Sequence, residues 1–529
     1  MLRRPHAVVR PVLRLRRSVP DLVLCGLLLV VIVLVQGRNI TGYPSLSDDE
    51  GTYLAQAWAV QHGKGLAPYT YWYDHPPLGW LQLAVLTAVP SVVAPDLMSV
   101  APMRHAMLLV SAVSAVLVYV LGRRLGLQHW AAGLAMALYG LSPLSVVFQR
   151  EIFLDNIAVM WMLLAFCLAA SPQRHLWHHF GAGLAAAIGV LSKETILIVL
   201  PALLLTLWRH SHRATRKFAV TGAVLACALT GLSYPLFALL NHELLPGPGH
   251  VSLVEGVTYQ MNRAGSGFLL SPGSAAHRVL DSWLYYDRAL PLGGLLAAVL
   301  LLVCVRRSVT GRALAGPAVA VLLLAAVALR PSGYLPAMYV VQALPFLALT
   351  LAGVAAAVAC ALLRTRPGFC RRWYPARWTA VVLLAAAAVA YAGPRWYEGT
   401  RTELTADVNR PYRAAASWLR DRDKVPCPGR TRVLTDDAVW LDLVHAGYPP
   451  RTGAVWFYKA DLDPAVAKSL PHGWRDVDYV VTTPTVRRDA PSLPTVDAAL
   501  KHSAPVAAFG EGPSRVEIRR VDRVRERSR

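Results

Sequence analysis

The 529-residue sequence predicts an α-helical polytopic membrane protein of about eleven transmembrane helices carrying a C-terminal extracytoplasmic α/β domain. Three observations predict it. The chain is 55% hydrophobic and only 16% charged, and its apolar residues fall in long blocks. The net charge of +22 comes largely from arginines in short segments between those blocks, as expected for loops retained in the cytoplasm. The texture changes after residue 394, where charges become frequent and apolar runs short. That distribution assigns the basic excess to membrane orientation and leaves no nucleic-acid partner to explain.

The elements follow in order. Residues 1–20 are rich in arginine and free of acid, and DLVLCGLLLVVIVLVQ follows. With no small-x-small cleavage site after it, this run reads as an uncleaved first helix with its N-terminus in the cytoplasm. A first outer loop spans 37–103. Spans near 104–121, 130–148 and 154–170 alternate, with Arg123 and Arg124 inside and QREIFLDN outside. Residues 180–208 lie between two basic loops and must cross an even number of times. They are too short for two full spans of roughly 20 residues each, so they predict two short helices meeting near SKET, 192–195. A span at 218–240, a second outer loop at 241–289 and four further spans end at 393, with RTRPGFCRRWYPAR inside. The transmembrane domain is thus 21–393 and the outer domain 394–529. In the latter, RPYRAAASWLRDR and DAVWLDLVHAG read as helices, and TRVLTDD, DVDYVVTT, PVAAFGEG and RVEIRRV as strands. It carries no G-x-G-x-x-G after a strand, so nothing there points to a nucleotide. The seven cysteines form neither a disulfide framework nor a C-x-x-C metal pattern.

The chemistry concentrates on the predicted outer face. SLSDDEGTYLAQAWAV, 45–60, places Asp48, Asp49 and Glu50 together beside the bilayer. Ser47 followed by acids is a good helix start, but three carboxylates exceed what a cap requires. Near lipid they raise one another's pKa, and such a group can accept a proton from an incoming hydroxyl or amine. YTYWYDHPPLGW, 69–80, adds Trp72, Tyr73 and His75 as a rim that could stack on a sugar or hold a phosphate. Arg150 and Asp155 occupy the next outer turn, and Lys193 and Glu194 the turn of the short helix pair, where charge at membrane depth marks function. Acids, a histidine and cations within reach of the membrane fit a lipid-linked phosphate substrate better than a water-soluble nucleotide sugar.

These motifs resemble those of the lipid-carrier-dependent glycosyltransferases of the C-type superfamily, above all the protein O-mannosyltransferases and aminoarabinose transferases. Asp49, Glu50 and Tyr53 match the acidic D-E-x-x-Y of their first outer loop, with Ala55 and Ala57 after it and Asp48 as an additional acid. His75, Pro76, Pro77, Leu78 and Trp80 resemble K-P-P-L-x-x-W, with histidine in place of lysine and the tryptophan one residue closer. Arg150 and Asp155 match R-x-x-x-x-D, Ser192 and Lys193 resemble the threonine–lysine pair of the helix hairpin, and Tyr339 and Pro345 resemble a late tyrosine- and proline-rich span.

The resemblance implies transfer of a hexosyl or pentosyl group from a polyprenyl-phosphate sugar to an acceptor protein, lipid or wall polymer. The reaction is an inverting single displacement at the outer face of a bacterial plasma membrane. Asp49 would be the base, with Asp48 and Glu50 beside it. Arg150, Lys193 and His75 would hold the donor phosphate, and Asp155, Tyr53, Tyr73 and Trp72 would position sugar or acceptor. No cofactor is required, although Asp48, Asp49 and Asp155 could hold a divalent metal. The rival class is a transporter or lipid flippase, which also places charge near broken helices. The absence of an inverted repeat and the size of the C-terminal domain weigh against it.

Overall fold

The computed structural model describes residues 19–93, 99–363 and 374–522. The expected basic N-terminal segment and most of the arginine-rich loop near 364–373 lie outside them. The chain forms a helical bundle followed by a smaller α/β domain.

Among the described residues, five helical segments are long and apolar enough to cross a membrane: Val19–Gly37, Val100–Arg124, Arg216–Leu240, Leu344–Leu363 and Trp378–Arg420. Two bent pairs raise the number to seven if each is one span: His129–Leu141 with Pro143–Arg150, bent by 58°, and Ala275–Tyr286 with Ala289–Val303, bent by 103°. Leu154–Ala169, Leu176–Ser192 and Ala315–Ala328 are apolar but shorter. Length and composition therefore pick out fewer continuous spans than the eleven or so expected. An apolar run in sequence does not reveal where a helix bends.

The break near SKET is present. Leu176–Ser192 ends at an extended Lys193, a 3-10 turn runs from Glu194 to Val199, and Leu200–His210 resumes as α-helix with proline in its first turn. Gly79, in the helix Leu78–Leu86, packs so closely on this break that a Cβ there would lie 2.7 Å from the Ser192 carbonyl oxygen. Gln82 ties the same helices together: Trp161 Nε1 donates to its carbonyl at 2.6 Å, and its amide donates to Ser192 Oγ at 2.8 Å.

The boundary expected at 394 falls inside a helix. Tyr374–Thr405 runs through Pro394, and the following helix is Arg410–Arg420. The expected boundary rested on the change in charge after 394, and the helix runs on through that change.

The C-terminal sheet has five strands in the order β2-β1-β3-β5-β4. β1 (Val433–Thr435) pairs in parallel with β2 (Ala454–Trp456) and β3 (Tyr479–Thr482), while β5 (Val516–Val521) runs antiparallel to β3 and to β4 (Ser503–Phe509). β1 and β2 are buried throughout, as parallel strands covered on both faces must be. β2 is the strand without a signal in the sequence analysis.

Candidate active site

The site begins with the helix Asp48–Gln61. Its first turn closes a capping box: Ser47 Oγ accepts the Glu50 amide at 3.4 Å, and Glu50 Oε2 accepts the Ser47 amide at 3.1 Å. The bland reading of the acidic run is therefore correct for Glu50. Its carboxylate also takes a two-pronged bond from fully buried Arg104, Nε to Oε1 at 2.8 Å and Nη2 to Oε2 at 2.6 Å. Arg104 donates further to the carbonyls of Pro44 and Ser45. Glu50 is thus committed to structure and does not line the cleft.

Helical periodicity then sorts the neighbours. Asp49, Thr52, Tyr53 and Gln56 recur at the spacing of one helix face, and all four line a cleft of ≈ 180 Å³. Asp48 points elsewhere, toward Asp436 and Arg488 of the C-terminal domain, with Arg488 Nη2 at 4.0 Å. Burial, then Asp436 and Asp49, push the Asp48 carboxyl up to about 7. Asp49 makes no hydrogen bond or ion pair among the described residues, so its carboxylate faces the cleft uncommitted.

The loop after this helix supplies the next wall. Tyr69, Tyr71, Trp72, Asp74 and His75 line the cleft. His75 bridges to the broken helix pair: Lys193 Nζ is 2.8 Å from its Nε2, and Glu194 oxygens are 3.1 Å from its Nδ1. An ammonium can only donate. Nε2 therefore accepts, and the Nδ1 proton goes to Glu194, which fixes the neutral tautomer. Lys193 also donates to Tyr53 Oη at 3.2 Å. Burial raises the Tyr53 hydroxyl well above its usual range, and Asp49, Asp155, Asp74 and Glu194 add to it. Tyr53 thus sits at the centre of the acidic and basic groups. Asp155 is held by Gln342, whose amide donates to Asp155 Oδ1 at 2.8 Å and to Thr195 Oγ1 at 2.5 Å.

Of the expected residues, Asp49, Tyr53, Trp72 and His75 line the cleft; Lys193 and Asp155 lie behind that lining, Asp48 and Glu50 outside it, and Arg150 and Tyr73 are turned to other partners. Arg150 is fully buried, and its guanidinium donates to the carbonyls of Val35 at 2.7 Å, Arg38 at 2.9 Å, Glu403 at 3.1 Å and Tyr43 at 3.3 Å. That set binds the first helix to Tyr374–Thr405 and engages both terminal nitrogens, leaving only the buried Nε without a partner. Tyr73 turns away with a φ of 54° and donates to Glu243 Oε2 at 2.5 Å. Nor do Asp48, Asp49 and Asp155 gather as a metal site. Among the described residues no three His, Cys, Asp or Glu side chains do so, because Asp48 faces the C-terminal domain while Asp155 pairs with Gln342.

The sequence analysis missed the wall from the C-terminal domain, while the outer loop 241–289, Arg263 included, is one that the sequence offers as a cap on the site. Trp456, Tyr458 and Lys459 reach the cleft from the C-terminal domain, and Tyr259, Gln260 and Arg263 reach it from the helix Leu253–Met261 and the turn after it. The C-terminal domain docks on the Asp48–Gln61 helix through Gly51, where a Cβ would lie 2.2 Å from the Asp437 carbonyl carbon. Asp437 Oδ2 accepts from Thr52 Oγ1 and, at 2.9 Å, from Tyr458 Oη. Tyr69 seals the junction, donating to the Ala454 carbonyl and accepting the Trp456 amide, each at 3.1 Å. No local pattern marks such residues, since their role depends on docking.

This bundle, broken helix pair and appended α/β domain share their fold with solved structures of ArnT and of an archaeal oligosaccharyltransferase. Residues 74–235 match the family described as dolichyl-phosphate-mannose-protein mannosyltransferase. The chain is similar to ArnT from Cupriavidus metallidurans bound to undecaprenyl phosphate, with a TM-score of 0.56, 15% identity, and 94% of this chain and 97% of that one covered. It is also similar to the oligosaccharyltransferase AglB from Archaeoglobus fulgidus in complex with an inhibitory peptide and a dolichol-phosphate, with a TM-score of 0.54, 13% identity, and 94% and 74% covered. No curated protein sequence matches the chain.

Proposed function

We propose that the protein transfers a glycosyl group from a polyprenyl-phosphate sugar to an acceptor at the outer face of a bacterial plasma membrane. One observation carries this reading: an uncommitted carboxylate, Asp49, and an ammonium, Lys193, line or border one cleft around Tyr53. The acceptor oxygen attacks the anomeric carbon as its proton passes to Asp49. The bond from that carbon to the phosphate oxygen breaks with inversion, and the electron pair leaves on the phosphate. Lys193, backed by His75 and Glu194, neutralises the charge that develops there. Phosphate is a good leaving group, so it needs a cation more than a proton. Trp72 and Tyr53 flank the sugar, and Asp155, held by Gln342 beside Thr195, stands on the donor side. Arg150 acts from outside the site by fixing the frame around the first helix.

Asp49→Asn should abolish transfer from a polyprenyl-phosphate sugar in membranes while leaving the purified protein folded. Asp48→Asn should retain activity, because Asp48 faces Asp436 and Arg488. Full activity in the Asp49 variant would end the assignment of the base.

A further inference from the structure

Lys459 stands apart from the proposed donor machinery. It comes from the C-terminal domain, is 4% exposed, and lines the same cleft as Asp49. Its ammonium lies 3.2 Å from the centroid of the Trp72 ring and 5.8 Å from that of Tyr458. It makes no hydrogen bond or ion pair among the described residues. The nearby carboxylates of its own domain are already engaged. Asp463 accepts from Thr70 and from the Ala465 amide, and Asp437 accepts from Thr52 and Tyr458. Burial outweighs Asp463, Asp74 and Asp437 and pushes the ammonium down to about 8. A desolvated cation held on an aromatic face and without a direct ion pair can take a further anionic partner. Arg263 adds a second cation to the cleft, with its guanidinium 3.7 Å from the centroid of the Tyr334 ring.

We propose that Lys459 and Arg263 form the acceptor-recognition end of the cleft and that the acceptor carries an anionic group, a phosphate or carboxylate, near its reacting hydroxyl. The inference rests on the glycosyltransferase reading of this cleft. The anion belongs to the acceptor because Lys193, which meets His75 and Tyr53 of the lining, comes from the broken membrane helices, where a lipid phosphate arrives. The Lys459 end is built from the C-terminal domain, which a polar acceptor reaches. Asp74, also in the cleft, is left to accept hydroxyls.

The test is calorimetric titration of the full-length protein in detergent, first with undecaprenyl phosphate and then, with that lipid saturating, with glycerol phosphate, acetate and glycerol. Wild type should bind at least one of the two anions and not glycerol. Lys459→Gln and Arg263→Gln should each weaken that binding tenfold or more, Lys459→Arg should keep it, and all three should keep the undecaprenyl phosphate affinity. Equal anion affinity in wild type and Lys459→Gln, or no anion binding by the lipid-saturated wild type, would overturn the inference and leave the donor assignment standing. Failure of undecaprenyl phosphate to bind the wild type, or binding that Lys193→Met leaves unchanged, would instead overturn the glycosyltransferase reading itself.

Discussion

Gly51→Ala tests whether docking of the C-terminal domain makes the cleft. A Cβ at residue 51 would lie 2.2 Å from the Asp437 carbonyl carbon, 2.3 Å from its oxygen and 2.5 Å from the Ala438 nitrogen. Carbon atoms in contact settle at about 3.5 Å, so the two helices must part by roughly 1 Å. The obstacle is backbone on both sides, and no side chain can swing clear. Alanine favours the helix by about 1 kcal/mol over glycine, whereas overpacking costs about 1–3 kcal/mol. Stretching the Thr52–Asp437 bond removes a charge-assisted contact worth about 1.5–3 kcal/mol. The balance is a loss of about 2–5 kcal/mol at the junction. Trp456, Tyr458 and Lys459 would retreat with the domain, and a 1 Å misplacement near a reacting centre costs about 100-fold in rate. Limited proteolysis should therefore release the C-terminal domain from the variant at protease levels that leave wild type intact, and transfer should fall in parallel. A Gly51→Ala protein with unchanged protease resistance and full transfer would refute the claim that this contact holds the cleft closed.

Other perturbations address other links. Arg104→Met leaves the Glu50 carboxylate buried without its partner, and thermal unfolding should show a loss of about 3–5 kcal/mol. Lys193→Met removes a charged donor beside Tyr53 and His75; undecaprenyl phosphate affinity should drop about 10–100-fold, given about 1.5–3 kcal/mol for a charge-assisted bond. Asp436, buried at the junction and pushed up to about 6, stabilises docking in its protonated form. That contribution is complete below the ordinary carboxylate range near pH 4 and is lost as pH rises through about 6. Asp436→Asn keeps the cap on the Val439 amide and removes the charge. Protease resistance of the junction should therefore fall between pH 5 and pH 8 in wild type and fall less in the variant, roughly 1–3 kcal/mol apart at the upper end.

The sequence by itself determined that this is a membrane protein with an α/β appendage, because blocked hydrocarbon and interspersed arginine are one-dimensional properties. It determined the break at Ser192 and Lys193, since the segment is too short for two full spans. The helical turn puts Asp49, Thr52, Tyr53 and Gln56 on one face, but that this face lines the cleft is a result of the tertiary structure. Tertiary structure decided the rest. Arg150 and Lys193 are both cations beside the membrane in sequence, yet one is enclosed by four carbonyls and the other meets His75 and Tyr53. Asp48 and Asp49 are adjacent in sequence, but successive residues on a helix point about 100° apart. One faces Asp436 and Arg488 of the C-terminal domain; the other faces the cleft. The wall of Trp456, Tyr458 and Lys459 lies some four hundred residues from the helix it completes. Only the close approach at Gly51 brings it there, and contacts between distant segments leave no periodicity in the chain.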